Sequence, residues 1–133
     1  MEWMSRRTFI KLAGAVGGVL LLTPLRSVIA GKDVNWVSVG SMEDFPVGMA
    51  VLVEENKRSP VIILRQQDGI RAMSAKCTHA GCTVEIEPDG SYSCPCHGSK
   101  FADDGAVKKG PARRDLKTLM VRVSDTGDIQ VGL

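Results

Sequence analysis

Two short segments of the sequence contain all four cysteines and both histidines. The first segment reads CTHAGC and begins at Cys77, and the second reads CPCHGS and begins at Cys94. Each segment also contains one histidine, His79 in the first and His97 in the second. Because cysteine thiolates and neutral imidazoles are ligands of zinc ions and of iron-sulfur clusters, these four residues are candidate metal ligands.

As ligands of a 2Fe-2S cluster, Cys77 and Cys94 would bind one iron while His79 and His97 bind the other. Two neutral imidazoles then stand where an all-cysteine cluster has two thiolates, so the bound cluster carries less negative charge. This raises the reduction potential to roughly −150 to +300 mV, compared with about −400 mV for plant-type ferredoxins. The four residues therefore predict a one-electron carrier.

Two other interpretations use the same residues. Two cysteines and two histidines also suit a tetrahedral zinc ion, although zinc ligands usually come as C-x2-C pairs with two residues between the cysteines, whereas a single residue separates Cys77 from His79. Two plain disulfides would leave both histidines, one in each segment, without a role. We therefore favour the iron-sulfur interpretation and keep zinc as the alternative.

Short apolar or β-branched runs, separated by Gly, Pro, Asn and Asp, predict the elements that position these ligands. The predicted strands are 34–39, 49–54, 61–65, 69–75, 118–123 and 129–131, which indicates an all-β domain. A helical turn is expected at 41–45, and Asp68-Gly69 is expected to form a tight hairpin turn. Trp36, Phe45 and Met49 are expected in the core.

The segment from residue 76 to residue 117 differs from the rest of the chain. It has little apolar periodicity, and it holds every cysteine and histidine. We expect something other than a hydrophobic core to order it. The whole chain has 133 residues and 44% hydrophobic content, enough for one modest domain. Its net charge is only +2, which gives no indication of a nucleic-acid partner.

The first thirty residues resemble a twin-arginine export signal. The matching residues are Ser5, Arg6, Arg7, Phe9, Ile10 and Lys11. The uncharged apolar run that follows, 12–25, predicts an N-terminal apolar helix, and Ala30 offers a cleavage site before Gly31. A cleaved signal would leave residues 31–133, whereas an uncleaved helix would anchor the protein in the membrane. Both alternatives place the remaining domain in the periplasm, on the outer face of a bacterial inner membrane.

Together, these residues resemble those of the Rieske family, in the disulfide-bearing branch found in cytochrome bc-type complexes, arsenite oxidase small subunits and small exported proteins. The resemblance covers most of residues 34–133. It implies a Rieske-type antiparallel β-sandwich with an inserted cluster-binding subdomain at about 76–117. It also implies one 2Fe-2S cluster, bound by Cys77, His79, Cys94 and His97.

The resemblance implies roles for five further residues. Cys82 and Cys96 match the cysteines that form a disulfide between the two ligand segments. Ser99 matches a serine whose hydroxyl donates a hydrogen bond to a bridging sulfide of the cluster. Gly110 and Pro111 match a proline loop that covers the cluster from a third side.

Two positions depart from the pattern of quinol-oxidising members. Phe101 stands where bc-type proteins usually carry tyrosine, so one hydrogen bond toward a ligand sulfur is expected to be missing. Ala80 stands where quinol-oxidising proteins usually carry leucine. The departure at Phe101 predicts a lower potential, and the departure at Ala80 argues against a quinol-docking surface.

The resemblance implies electron transfer as the iron-sulfur subunit of a quinol-cytochrome c reductase-like complex. The alternative is a small periplasmic carrier, or a small subunit of another oxidoreductase such as an arsenite-oxidase-like enzyme, which Ala80 and Phe101 favour. The partner is then a cytochrome complex or a periplasmic oxidoreductase, with quinol as one candidate donor. No residue pairs a nucleophile with a base, so we expect no turnover by this chain alone.

A run of basic residues surrounds the expected proline loop: Lys108, Lys109, Arg113, Arg114 and Lys117. Such a run can dock an acidic electron partner. More often, such a run is simply a solvated loop.

Overall fold

A computed structural model of the protein describes residues 34–54 and 59–133. The expected export signal and apolar helix, residues 1–30, lie outside the described residues. Within the two described ranges, no helix is both long enough and apolar enough to cross a membrane.

The described residues form ten strands and one short 3-10 helix, Met42–Asp44. In chain order the strands are β1 (Trp36–Ser41), β2 (Ala50–Val53), β3 (Val61–Gln66), β4 (Gly69–Ser74), β5 (Glu85–Ile86), β6 (Tyr92–Ser93), β7 (Lys100–Phe101), β8 (Val107–Lys109), β9 (Thr118–Val123) and β10 (Asp128–Gly132). They make a six-stranded sheet in the order β1-β10-β9-β4-β3-β2 and a four-stranded sheet in the order β5-β6-β7-β8. Neighbouring strands in both sheets are antiparallel. The prediction of an all-β, antiparallel fold is therefore confirmed.

The strands of the large sheet lie close to their predicted positions, but one turn is shifted. In the β3–β4 hairpin, Gln66 pairs with Gly69, so the two turn residues are Gln67 and Asp68 rather than Asp68 and Gly69. Gly69 opens β4 without a positive φ angle. Since Gly69 adopts an ordinary strand conformation, the glycine in the sequence did not mark the position of the turn.

The segment 76–117 contributes its own apolar side chains to a core, contrary to the expectation. Val84, Tyr92 and Phe101 are fully buried there. They belong to one apolar cluster with Ile62 of β3 and Met73 of β4, so the small sheet packs onto the large one. The segment lacks visible periodicity because its strands are only two or three residues long.

A second apolar cluster lies within the large sheet and includes Phe45, Ile63 and Ile129. Phe45 is buried, as expected, whereas Met49 is 60% exposed and was wrongly placed in the core. Met49 precedes β2 in a turn, where its amide donates to the carbonyl of Pro46 at 3.4 Å. Trp36 is half-buried, with the guanidinium of Arg122 4.2 Å from its ring centroid.

Tyr92→Phe is expected to destabilise the protein by about 1 kcal/mol at neutral pH. The Tyr92 hydroxyl donates a hydrogen bond to the carbonyl of Asp103 at 3.1 Å, and that carbonyl would lose its donor. Burial, with the negative charges of Asp103 and Asp104, raises the pKa of Tyr92 above its usual value. The folded protein therefore disfavours the phenolate, and the contribution of Tyr92 is present below about pH 10 and lost as the pH rises through the folded-state pKa.

Thermal unfolding of both proteins at neutral pH and at about pH 10.5 checks this prediction. The difference between wild type and Tyr92→Phe should shrink in alkali. An equal difference at both pH values would contradict it.

Candidate metal centre

The two cysteine-containing segments fold into loops with the same backbone geometry. In the first loop, residues 77–82, the amide of Cys77 donates to the carbonyl of Cys82 at 2.7 Å, and the Gly81 amide donates back to Cys77 at 2.8 Å. In the second loop, residues 94–99, the matching hydrogen bonds measure 2.8 and 2.9 Å. The fifth residue of each loop is a glycine with positive φ, +81° at Gly81 and +72° at Gly98. The glycines permit the turn that brings each loop back on itself.

The four candidate ligands divide into an inner and an outer pair. Cys77 and Cys94 are buried and form no disulfide. His79 and His97 are exposed, and their ring centroids lie 4.9 Å apart with the planes nearly perpendicular, at 88°. The structure therefore brings two thiols together inside the protein and two imidazoles together at its surface.

The two thiols interact directly. Burial opposes ionisation of Cys77, but hydrogen bonds from the amides of His79 and Ala80 and from the side chains of Cys94 and Ser99 outweigh it and lower its pKa. Burial raises the pKa of Cys94, and the hydrogen bond between the two thiols raises it further. The pair thus favours a thiolate on Cys77, the form that binds metal.

A disulfide joins Cys82 of the first loop to Cys96 of the second, with an S–S distance of 2.09 Å. The expected pairing is confirmed. The sulfur of Cys94 lies within 4.8 Å of both disulfide sulfurs. Since the disulfide sulfurs carry no thiolate charge, this group of three sulfurs is a disulfide packed against the candidate ligand Cys94 and not a second metal site.

The spacing of the candidate ligands is too wide for one zinc ion. Bond lengths of 2.0 to 2.3 Å place the ligand atoms of a tetrahedral zinc roughly 3.3 to 3.8 Å apart. Among residues 34–54 and 59–133, no three of the atoms of Cys77, His79, Cys94 and His97 lie within 4.8 Å of one another. The four side chains therefore form two pairs, one of thiols and one of imidazoles, and not a single tetrahedral set.

Ser99 and the proline loop, residues 110–114, complete the site. The Ser99 side chain is fully buried, and its oxygen accepts a hydrogen bond from the Ala112 amide at 3.0 Å. Its own proton is therefore free to donate toward the sulfurs. Thr78 of the first loop donates to the carbonyl of Arg114. The proline loop is thus attached to both cysteine-containing loops, through the Ala112 amide and the Arg114 carbonyl. The sequence did not reveal these attachments, because a backbone group supplies one partner of each hydrogen bond.

Ser99→Ala is expected to lower the midpoint potential by up to about 100 mV. A hydrogen bond to a charged group contributes about 1.5 to 3 kcal/mol, and 1.4 kcal/mol corresponds to about 59 mV for one electron. The hydroxyl proton stabilises the more negative reduced state, so its loss makes reduction harder. Voltammetry of the wild type and the variant measures the shift. A potential that does not fall would mean that the Ser99 hydroxyl does not stabilise the reduced cluster.

The comparisons with known proteins bear on this arrangement. The model of the Rieske [2Fe-2S] domain family matches residues 35–120. The cytochrome b6-f complex iron-sulfur subunit of Chlorobaculum tepidum is 35% identical, over 96% of this chain and 75% of that protein. The corresponding subunit of Prochlorococcus marinus is 34% identical, over 92% of this chain and 82% of that protein.

A solved structure agrees with these relatives. The crystal structure of the plasma membrane Rieske protein PetC3 from Synechocystis PCC 6803 superposes with a TM-score of 0.54. It is 35% identical and covers 73% of this chain and 99% of that chain. The family match covers most of the described residues, and the site has the two thiols, two imidazoles and disulfide that the family's cluster requires. This chain therefore belongs to the Rieske [2Fe-2S] family and binds one Rieske cluster.

Proposed function

We propose that this protein transfers single electrons as the iron-sulfur subunit of a membrane complex that oxidises quinol and reduces a c-type cytochrome. The observation that carries the proposal is the pairing of two buried thiols with two exposed imidazoles that face each other at the surface. Relatives at 34 and 35% identity that are named as cytochrome b6-f complex subunits support the choice of complex.

Each pair of residues has a separate task in this proposal. The buried thiolates of Cys77 and Cys94 would hold one iron, and the exposed imidazoles of His79 and His97 would hold the other and present their rings to the redox partner. When bound, the cluster would supply transfer of one electron at a time. The two imidazoles would also place the proton transfer that accompanies quinol oxidation at this surface.

The proposed location is the outer face of a bacterial inner membrane. Arg6 and Arg7 support export by the twin-arginine route, which carries folded proteins with their cofactors inserted. The disulfide between Cys82 and Cys96 supports an oxidising compartment, since such bonds rarely persist in the cytosol. Residues 1–30 would be either the cleaved signal or the anchor.

One observation favours a second candidate, a small exported carrier without quinol chemistry. Ala80 is exposed beside His79, where quinol-oxidising members usually carry leucine. A methyl group offers little apolar surface to a quinol ring. In this candidate the same cluster serves another periplasmic oxidoreductase, such as an arsenite-oxidase-like enzyme.

Voltammetry of the cluster-loaded protein between about pH 6 and pH 10, with a parallel assay of quinol oxidation, tests the proposal. A midpoint potential between about −150 and +300 mV that falls in alkali is expected, because proton uptake accompanies reduction. A low potential that does not depend on pH would overturn the quinol role and favour the carrier. Zinc in place of iron in the purified protein would overturn electron transfer altogether.

Phe101→Tyr is expected to raise the midpoint potential, by up to about 100 mV. Phe101 is fully buried in β7, opposite Tyr92 of β6, so a new hydroxyl must find a partner inside the site. A hydrogen bond toward a ligand sulfur favours the more negative reduced state. Phe101→Leu, which adds no donor, is the control, and equal potentials for the two variants would contradict the prediction.

A further inference from the structure

A surface cavity of about 380 Å³ opens beside His79. Thr78 and His79 line it from the first ligand loop, and Pro111, Arg113 and Arg114 line it from the proline loop. The other surface imidazole, His97, is not part of its lining. A partner that fills this cavity therefore contacts the site through His79.

Positive charge is concentrated in the chain segment that supplies Arg113 and Arg114 to this cavity. Residues 34–133 contain 12 Lys and Arg residues and 13 Asp and Glu residues, a net charge of −1. The segment 107–117 alone contains five cations and one carboxylate, a net charge of +4, so the rest of the domain carries −5. The one carboxylate, Asp115, accepts a hydrogen bond from the amide of Val107 at 2.9 Å. The segment that carries Arg113 and Arg114 is thus basic, whereas the rest of the domain has a net negative charge.

The backbone that carries the two arginines is held in place on both sides. Ala112 donates to the buried oxygen of Ser99 at 3.0 Å, and the carbonyl of Arg114 accepts from the Thr78 hydroxyl. Arg113 lies between these two attachments. A positioned backbone reduces the conformational entropy that is lost when a partner binds.

From these observations we propose that the redox partner that exchanges electrons through His79 is an acidic protein, whose carboxylates enter the cavity between Arg113 and Arg114. Guanidinium groups bind carboxylates with two parallel hydrogen bonds, which orients the partner as well as attracting it. Because both arginines are exposed, their main effect is on the association rate. The inference rests on the proposed electron-transfer function and specifies the partner of that site.

Stopped-flow electron transfer from the reduced, cluster-loaded full chain tests this inference. The oxidants are two c-type cytochromes of similar potential, one acidic and one basic, each taking one electron as its haem iron changes from Fe(III) to Fe(II). With the acidic cytochrome at about 10 mM ionic strength, Arg113→Gln with Arg114→Gln should lower the second-order rate constant by about tenfold or more. With the basic cytochrome the rate constant should not fall.

Three controls separate charge from structure. The charge-preserving pair Arg113→Lys and Arg114→Lys should retain most of the rate, and Arg71→Gln on β4 should leave it unchanged. Raising the ionic strength to about 1 M shortens the Debye length from about 30 to about 3 Å and should remove the advantage of wild type over the glutamine variant.

Equal rates for wild type and the glutamine variant, or an equal loss in Arg71→Gln, would overturn the inference. If the glutamine variant does not fold, the salt dependence of the wild type decides, because a rate with the acidic cytochrome that does not fall with salt also overturns it. Rate constants are compared after correction for the midpoint potential measured for each variant, so that only the docking effect is scored. Failure of the proposed function is a distinct outcome, because the wild type itself would then have no redox activity.

Discussion

Replacing His79 and His97 together with cysteine is expected to lower the midpoint potential by several hundred millivolts, to about −400 mV. Two thiolates in place of two neutral imidazoles add two negative charges to the cluster, which makes the uptake of an electron harder. Both positions are exposed, so the smaller cysteine side chains leave no cavity in the core. Voltammetry and the electron paramagnetic resonance spectrum of the reduced protein measure the change.

Ala80→Cys is the matched control, since it places an exposed thiol in the same loop at a position that we do not assign as a ligand. Its potential should stay close to that of wild type. Should the double variant fail to assemble a cluster, His97→Cys alone should give an intermediate potential. A double variant that binds a 2Fe-2S cluster at the wild-type potential would show that the histidines are not ligands.

The large sheet could be predicted from the sequence because most of its strands are long enough to show a pattern. β3, β4 and β9 each have six residues, and their apolar runs end at recognisable turn residues. The small sheet could not be predicted, since a strand of two residues such as β6 has no period. Tyr92 and Phe101 are paired there, and their burial depends on the fold of the loops around them.

The residue types of the candidate site could be predicted from the sequence, whereas the contacts that hold its loops in place could not. Cysteine and histidine close together in each of two segments indicate metal ligands by their chemistry alone, and the disulfide pairing followed from family resemblance. The contacts that hold the proline loop run through backbone atoms of Ala112 and Arg114. Any residue can supply a backbone amide or carbonyl, so a sequence carries no signal for them.

Removing the disulfide by the paired substitution Cys82→Ala and Cys96→Ala is expected to lower the free energy of unfolding by about 3 kcal/mol. The bond closes a loop with a sequence separation of 14, and a loop of about 15 residues loses roughly that much chain entropy when crosslinked. For a domain of about 100 residues, this corresponds to a fall of about 10 to 20 °C in the thermal midpoint.

The same substitution should also weaken retention of the cluster, because the disulfide is the covalent link between the two ligand loops and lies within 4.8 Å of the Cys94 sulfur. The loss of visible cluster absorbance on heating measures both effects in one experiment. Wild type treated with dithiothreitol should resemble the variant, which excludes an effect of the alanine side chains themselves. A variant that loses its cluster at the wild-type temperature would mean that hydrogen bonds within each loop, such as those from Cys77 to Cys82, hold the ligands in place without the covalent link.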